Sequence, residues 1–122
     1  MRKSFRLVSV AMSTLALFGV VSFTAVNAGD MSAVEEGKKI ALNKKKGNCL
    51  ACHMIPGGGE QPGNIGPPLI VMKTRFPDKA VLKAQIVDAR TKNPNTIMPP
   101  FGAHGILSAD EIDKVTEYIH SL

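Results

Sequence analysis

The sequence predicts an all-α domain of three main helices joined by loops. Apolar residues recur at helical spacing in three stretches, and no stretch shows the alternation of a half-buried strand. Two of these stretches begin with the serine and glutamate spacing of a capping box, at Ser32 with Glu35 and at Ser108 with Glu111. Proline and glycine are dense between residues 56 and 68, which indicates a long loop.

The first 28 residues have the composition of a secretory signal peptide. Three basic residues precede an apolar run over residues 7–23, and a small residue, Ala28, stands where cleavage is expected. Cleavage there leaves residues 29–122 as one domain, exported to a bacterial periplasm and without a membrane span. The alternative is an uncleaved membrane anchor, because the run is close to the shortest length that crosses a bilayer.

The net charge argues against nucleic acid as a partner. The chain of 122 residues carries 15 basic and 10 acidic side chains, which gives a formal charge of +5. The expected signal peptide contains three of the basic residues and none of the acidic ones, so residues 29–122 carry only +2. A charge this small gives little attraction to a phosphate backbone.

The first helix is expected from Ser32 to about Lys46, ending at Gly47, because glycine commonly follows a helix. Its less polar side carries Gly37. Its lysines form either a solvated face or a docking patch for a partner. They are Lys38, Lys39, Lys44, Lys45 and Lys46.

The five residues from Cys49 to His53 form CxxCH, the motif of covalent haem attachment. On one helical turn the thiols of Cys49 and Cys52 can add to the two haem vinyl groups, while His53 binds the iron. A zinc site is an alternative, but its remaining ligands would have to come from His104 and His120, far along the chain. A disulfide or redox thiol pair without haem is the other alternative.

The loop after the motif could support the histidine. A ligating histidine needs an acceptor for its second ring nitrogen, and a loop folded beneath the haem could offer the carbonyl of Pro67 to His53. Alternatively, Pro67 only stiffens the loop. The charge of Arg75 suits a haem propionate, although a solvent-exposed role would also fit.

Two more helices follow. Asp78 is expected to cap a helix from about Lys79 to Arg90, and Ser108 caps a last helix that runs to the C-terminus. His120 is expected to be exposed. The apolar residues of the last helix share one face, as helical spacing requires. They are Ile112, Val115, Tyr118 and Ile119.

Met98 lies in a stiff loop, because Pro99 and Pro100 forbid a helix and hold the preceding residue extended. We expect its thioether to be the second axial ligand of the iron. A lone methionine can instead fill a core. His104 is the main competing ligand, since histidine also binds haem iron. Met72 follows the proline-rich loop and is expected on the side of His53.

These features, in this order, resemble the class I cytochrome c pattern along residues 29–122. The resemblance implies that the first and last helices cross, with Gly37 allowing Tyr118 to approach. It also implies one covalent haem c. In that arrangement His53 is the proximal ligand, the carbonyl of Pro67 accepts a hydrogen bond from it, and Met98 is the second axial ligand. The implied contacts between the two helices join Gly37 and Ala41 to Val115 and Tyr118.

Three phrases are similar to those of the SoxX family of monohaem cytochromes: GNCLACH at 47–53, IGPPL at 65–69 and IMPPFGAHGILSADEI at 97–112. The resemblance implies a SoxA-type partner subunit with one or two haems, whose active-site haem has a modified cysteine ligand. Such a complex is an L-cysteine S-thiosulfotransferase, which conjugates thiosulfate oxidatively to the SoxYZ carrier. The SoxX-type subunit accepts the electrons and passes them to a downstream cytochrome.

The expected activity is outer-sphere electron transfer, because histidine and methionine together leave no open position for substrate. The sequence offers no paired carboxylates and no serine, histidine and aspartate set, so the chain alone is not expected to convert a sulfur compound. A free periplasmic cytochrome that carries electrons to an oxidase or reductase would use the same residues. A thiol oxidoreductase without haem is the third alternative.

Overall fold

The computed structural model describes residues 28–122, and the side chains of residues 32–122. The expected signal peptide therefore lies almost wholly outside the described residues. Residues 28–122 contain four α-helices and two short 3-10 turns, and no β-strand, which confirms the predicted all-α class. The helices are α1 (Ala28–Leu42), α2 (Met72–Arg75), α3 (Lys79–Val87) and α4 (Ala109–His120), with 3-10 turns at Cys49–Ala51 and Ala89–Thr91.

Both predicted ends of the first helix were wrong. α1 begins at Ala28, so Ser32 lies inside the helix, and it ends at Leu42 rather than near Lys46. The early end has a local cause, since the side chain of Asn43 accepts a hydrogen bond from the backbone N–H of Lys45 at 2.8 Å. An asparagine side chain that accepts from a nearby backbone N–H competes with the helix for that donor.

α3 begins where it was predicted, and ends earlier. The side chain of Asp78 caps the helix by accepting from the N–H of Ala80 at 2.8 Å. The helix stops at Val87 instead of Arg90, because Asp88 has an extended backbone and its carboxylate accepts from the N–H of Arg90 at 3.0 Å. The polar side chain again replaces a helical hydrogen bond with a local one.

α4 has the predicted capping box. Ser108 accepts from the N–H of Glu111 at 3.2 Å, and Glu111 accepts from the N–H of Ser108 at 3.0 Å. The predicted apolar face is buried, whereas His120 is not fully exposed as expected: its Nε2 lies 3.0 Å from the carbonyl oxygen of Phe76. The buried face comprises Ile112, Val115, Tyr118 and Ile119.

α1 packs mainly against α4, and Gly37 lies at the crossing. A Cβ atom at Gly37 would lie 1.9 Å from the carbonyl oxygen of Lys114 and 3.0 Å from Cβ of Tyr118. Only glycine permits this approach of the two backbones. The crossing implied by the family resemblance is therefore present, and the backbone of Lys114 is the part of α4 nearest to Gly37.

The α2 turn was not predicted, and it joins the proline-rich loop to the core. Val71 precedes it with φ of 53° and ψ of 38°, a left-handed conformation that is strained for a β-branched residue. Met72 is only 1% exposed, and its N–H donates to the carbonyl of Leu122 at 2.8 Å. None of the helices within residues 28–122 is both long and apolar enough to cross a membrane.

Candidate functional site

A cavity of about 570 Å³ lies between the CxxCH turn, the proline-rich loop, α3, α4 and the Met98 loop. Its size falls within the range of roughly 300–1,000 Å³ that is usual for small-molecule and cofactor sites. Apolar side chains of the core form most of its wall. Four of the residues predicted to hold haem, Cys49, Cys52, His53 and Met98, line it together with the predicted supporting residues Pro67 and Arg75.

The CxxCH residues form a tight turn on the cavity wall. Asn48 adopts a left-handed conformation with φ of 46°, and the 3-10 turn Cys49–Ala51 follows. The N–H of Cys52 and the N–H of His53 both donate to the carbonyl of Cys49, at 3.2 and 2.9 Å. This local winding gives both thiols and the imidazole access to one cavity, as the spacing predicts.

The sulfur atoms of Cys49 and Cys52 are not joined in a disulfide. Burial raises the pKa of the Cys49 thiol to about 11, with a smaller contribution from the neighbouring Cys52. The thiol is therefore protonated near neutral pH. A redox-active cysteine needs the opposite shift, towards the thiolate, so the environment of Cys49 argues against the thiol oxidoreductase alternative.

The Nδ1 atom of His53 lies 2.7 Å from the carbonyl oxygen of Pro67. A carbonyl can only accept, so Nδ1 is the donor in this contact, and Nε2 is the ring nitrogen that remains for a metal. This is the arrangement that orients a metal-binding imidazole. Gly66 permits it, because a Cβ atom there would lie 2.4 Å from Cε1 of the His53 ring.

Two backbone hydrogen bonds hold this loop against the CxxCH turn. The N–H of Gly66 donates to the carbonyl of Cys52 at 2.8 Å, and the N–H of Leu69 donates to the carbonyl of Met54 at 2.9 Å. They lie on either side of Pro67, which has no N–H of its own. These two bonds hold the chain before and after the Pro67 carbonyl.

The Met98 loop is anchored to the end of α3. The N–H groups of Gly102 and Ala103 both donate to the carbonyl of Val87, at 3.1 and 3.2 Å. Gly102 packs so closely that a Cβ atom would lie 3.0 Å from Cγ1 of Val87. Met98 itself is partly buried, packs against the core and lines the cavity.

The competing ligand candidates have different surroundings. His104 is exposed and does not line the cavity, and its Nε2 lies 3.4 Å from Nη1 of Arg90. Met72 does line the cavity, but its sulfur accepts from Nη1 of Arg75 at 3.3 Å. Met98 remains our proposed ligand, and Met72 is the methionine against which it must be tested.

The residues present fit a covalent haem better than a zinc ion. Within the described part of the chain, no three histidine, cysteine, aspartate or glutamate side chains converge on a point that could hold a metal ion. The cavity instead combines a large apolar wall with two thiols, an imidazole oriented through Nδ1, and a thioether. Those groups are of the kinds that attach haem c and bind haem iron.

A protein-family model described as Cytochrome c matches residues 34–122. The chain belongs to the cytochrome c family. This confirms the predicted covalent haem c as its cofactor, and one-electron transfer as its general activity. The match spans the whole cavity wall and the α1 and α4 crossing described above.

A solved structure shows which kind of cytochrome c this chain resembles. The crystal structure of SoxXA from P. pantotrophus contains a chain that superimposes on this cytochrome with a TM-score of 0.63 at 29% sequence identity. The superposition covers 71% of this chain and 79% of that one. It confirms the predicted class I fold of the SoxX type.

One curated relative aligns with part of this chain. It is an uncharacterized lipoprotein of Aquifex aeolicus (strain VF5), 36% identical over 76 residues. The alignment covers 62% of this chain and 37% of the relative, so the cytochrome matches little more than a third of that protein's length.

Sequence reasoning missed two features of the site. Arg75 lines the cavity, and its Nη1 donates to the carbonyl of Pro68 at 2.7 Å. The two residues lie on opposite sides of a turn, and no sequence motif indicates that they are in contact. Lys46 of the lysine cluster is paired with Glu111 of α4, so that lysine has a structural contact. Lys44 and Lys45 are exposed and line the cavity mouth.

Proposed function

We propose that this cytochrome is the haem c electron-transfer subunit of a SoxAX-type L-cysteine S-thiosulfotransferase, located in the periplasm after removal of residues 1–28. The observation that carries the proposal is the likeness to a chain of SoxXA, which extends over most of both chains. The reaction joins a cysteine thiolate of the SoxYZ carrier to thiosulfate and releases two electrons. This subunit accepts them one at a time and delivers them to a downstream cytochrome.

Each site residue has a distinct part in this proposal. Haem c, when bound, supplies a one-electron couple. Cys49 and Cys52 hold it covalently and His53 provides the proximal ligand, oriented by Pro67 at 2.7 Å. Met98 provides the second ligand, and a thioether in that position raises the reduction potential. With His53 and Met98 both binding the iron, no position would be open for substrate, so the conjugation chemistry would belong to the partner subunit.

The mouth of the cavity supports a protein partner. Ile65, Ile97 and Ile106 line it and are 63%, 74% and 42% exposed. Exposed apolar side chains grouped at one place commonly mark a contact surface. Lys44 and Lys45 lie at the same mouth and would add charge to its rim. We propose that the SoxA-type subunit covers this surface.

Co-isolation from periplasm tests the partner. The tagged cytochrome is purified under mild conditions, and a haem-stained denaturing gel is examined for a second haem-bearing polypeptide. The proposal predicts a second band in fixed ratio, and thiosulfate conjugation to a carrier cysteine by the purified complex. A small red monomer that elutes alone would contradict it and favour the free periplasmic electron carrier.

A matched pair of variants locates the contact. Ile106→Glu places a charge at the cavity mouth, whereas Ile70→Glu does so at a residue of similar exposure, 39%, that does not line the cavity. Only the first is expected to release the partner, because a buried unpaired charge is costly in an interface. Equal retention of the partner by both variants would place the contact elsewhere.

A further inference from the structure

Arg75 makes its shortest side-chain contact with the proline-rich loop. Its Nη1 donates to the carbonyl oxygen of Pro68 at 2.7 Å and lies 3.3 Å from the sulfur of Met72. The guanidinium carbon is also 6.0 Å from the centre of the Phe76 ring. A hydrogen bond from a charged donor is stronger than one between neutral groups, so this contact can hold a backbone segment in place.

The fold returns Arg75 to the loop through a sharp turn. Val71 adopts its left-handed conformation between Pro68 and Arg75, and its carbonyl then accepts from the N–H of Arg75 at 3.1 Å. The far side of the turn is tied to the C-terminus, where Leu122 accepts from the N–H of Met72 at 2.8 Å. A strained residue persists only where its surroundings hold it, and these contacts do so.

The carbonyls of Pro67 and Pro68 are consecutive, and they serve two different donors. The first accepts from Nδ1 of His53 and the second accepts from Arg75, both at 2.7 Å. The two oxygens belong to consecutive planar peptide units that meet at Cα of Pro68, where proline fixes φ, so ψ of Pro68 is the one soft rotation between them. Fixing the second carbonyl therefore leaves the first carbonyl a single rotation through which it can change direction.

We propose that Arg75 is a positioning residue for the proximal histidine. Its guanidinium holds the Pro68 carbonyl, and so holds the Pro67 carbonyl where it accepts from His53. The inference rests on ligation by His53, as proposed above. It gives Arg75 a role through the loop backbone, distinct from the propionate contact expected from charge alone.

The exchange rate of the His53 Nδ1 proton with solvent is the direct test. It is measured by NMR in the reduced, haem-loaded protein, and the proton is identified through the ring protons that the haem ring current shifts upfield. In Arg75→Gln we expect exchange about fivefold faster, because Arg75 is exposed and an exposed charged hydrogen bond contributes less than a buried one. Arg75→Lys retains one donor that can reach Pro68, and should restore most of the protection.

Lys73→Gln is the matched control, because Lys73 is an exposed cation in the same short helix. It should leave the exchange rate within twofold of wild type. An unchanged rate in Arg75→Gln would overturn the proposal, as would an equal increase in Lys73→Gln. If Arg75→Gln does not load haem, Arg75→Met replaces it, with the same expected increase and the same contradicting result.

If His53 does not bind the haem iron, the NMR spectrum shows a different result. If wild-type His53 shows no ring protons shifted by the haem, the proximal ligand is another residue, and the role of Arg75 falls with it. Upfield His53 signals together with unchanged exchange in Arg75→Gln would overturn the positioning role alone.

Discussion

The carbonyl oxygen of Pro67 lies 2.7 Å from Nδ1 of His53, although 14 residues separate them in the chain. The contact determines which ring nitrogen carries the hydrogen, and leaves Nε2 free for the haem iron. It depends on Gly66, which brings the loop against the face of the ring. The orientation of the proposed ligand is therefore set by a glycine and a backbone carbonyl.

Gly66→Ala should disturb this contact. The new methyl carbon would lie 2.4 Å from Cε1 of His53, so either the ring or the loop must move. We expect the variant to lose about 1–3 kcal/mol of stability, the usual cost of overpacking, and to have an altered reduction potential. Asn64→Ala, at an exposed position of the same loop, should change neither in redox titration and denaturant unfolding. A wild-type potential and stability in Gly66→Ala would contradict the close packing.

Gly37→Ala should destabilise the crossing of α1 and α4. Alanine is the better helix former by about 1 kcal/mol, but its Cβ would lie 1.9 Å from the carbonyl oxygen of Lys114. The clash is with backbone, so the helices must separate, and we expect a net loss of at least about 2 kcal/mol in denaturant unfolding. Lys38→Ala, on the exposed side of α1, is the control and should be nearly neutral. A more stable Gly37→Ala would show that the helices are not in contact there.

The contact between α4 and the lysine cluster should depend on pH. The pKa of Glu111 is lowered, first by Lys46 and then by the N–H of Ser108. A carboxyl whose pKa is lower in the folded state stabilises the fold above its unfolded pKa, and loses that contribution as pH falls through the folded value. Glu111→Gln should therefore be less stable than wild type at neutral pH, and the difference should shrink below the ordinary pKa of 4.5.

Thermal unfolding of both proteins across this pH range measures the effect. Glu60→Gln, in the exposed loop, is the control and should show no comparable change. A stability difference for Glu111→Gln that stays constant down to low pH would mean that the charge of Glu111 is not the cause.

Haem-free protein should lose most of its helical structure. Without haem, the apolar wall of the cavity of about 570 Å³ loses the group that it packs against. A typical domain is stable by only about 5–15 kcal/mol, so the loss of this packing is enough to unfold much of the chain. Far-ultraviolet circular dichroism of a variant with Cys49→Ala and Cys52→Ala, purified without haem, provides the measurement. Full native helicity in that protein would contradict the expectation.

Local sequence signals predicted two of the three helix starts. The spacing of Ser108 and Glu111 and the position of Asp78 gave correct beginnings, because a capping side chain bonds within its own turn. The same spacing at Ser32 and Glu35 did not, since α1 begins at Ala28. The ends were missed at Asn43 and Asp88, whose side chains take backbone donors from the helix. After α1, the N–H of Gly47 donates back to the carbonyl of Ile40 at 3.2 Å, which holds the turn in place.

In the functional site, too, some features could be predicted from the sequence and others could not. The grouping of Cys49, Cys52 and His53 follows from their spacing, so it could be read from the sequence. The contact of Arg75 with Pro68 could not, because it depends on the left-handed turn at Val71 and on the tie between α2 and the C-terminus. These are packing effects between distant segments, and a four-residue helix is too short to show a periodic pattern.

The axial ligand is the central claim, and the far-red sulfur-to-iron charge-transfer band of the oxidised protein tests it most directly. Met98→Leu removes the sulfur at nearly constant volume, and Met72→Leu does the same for the other methionine that lines the cavity. Both variants should keep haem attached through Cys49 and Cys52. Our account predicts that the band is present in wild type and in Met72→Leu and absent from Met98→Leu. A band that persists in Met98→Leu and disappears in Met72→Leu would contradict it.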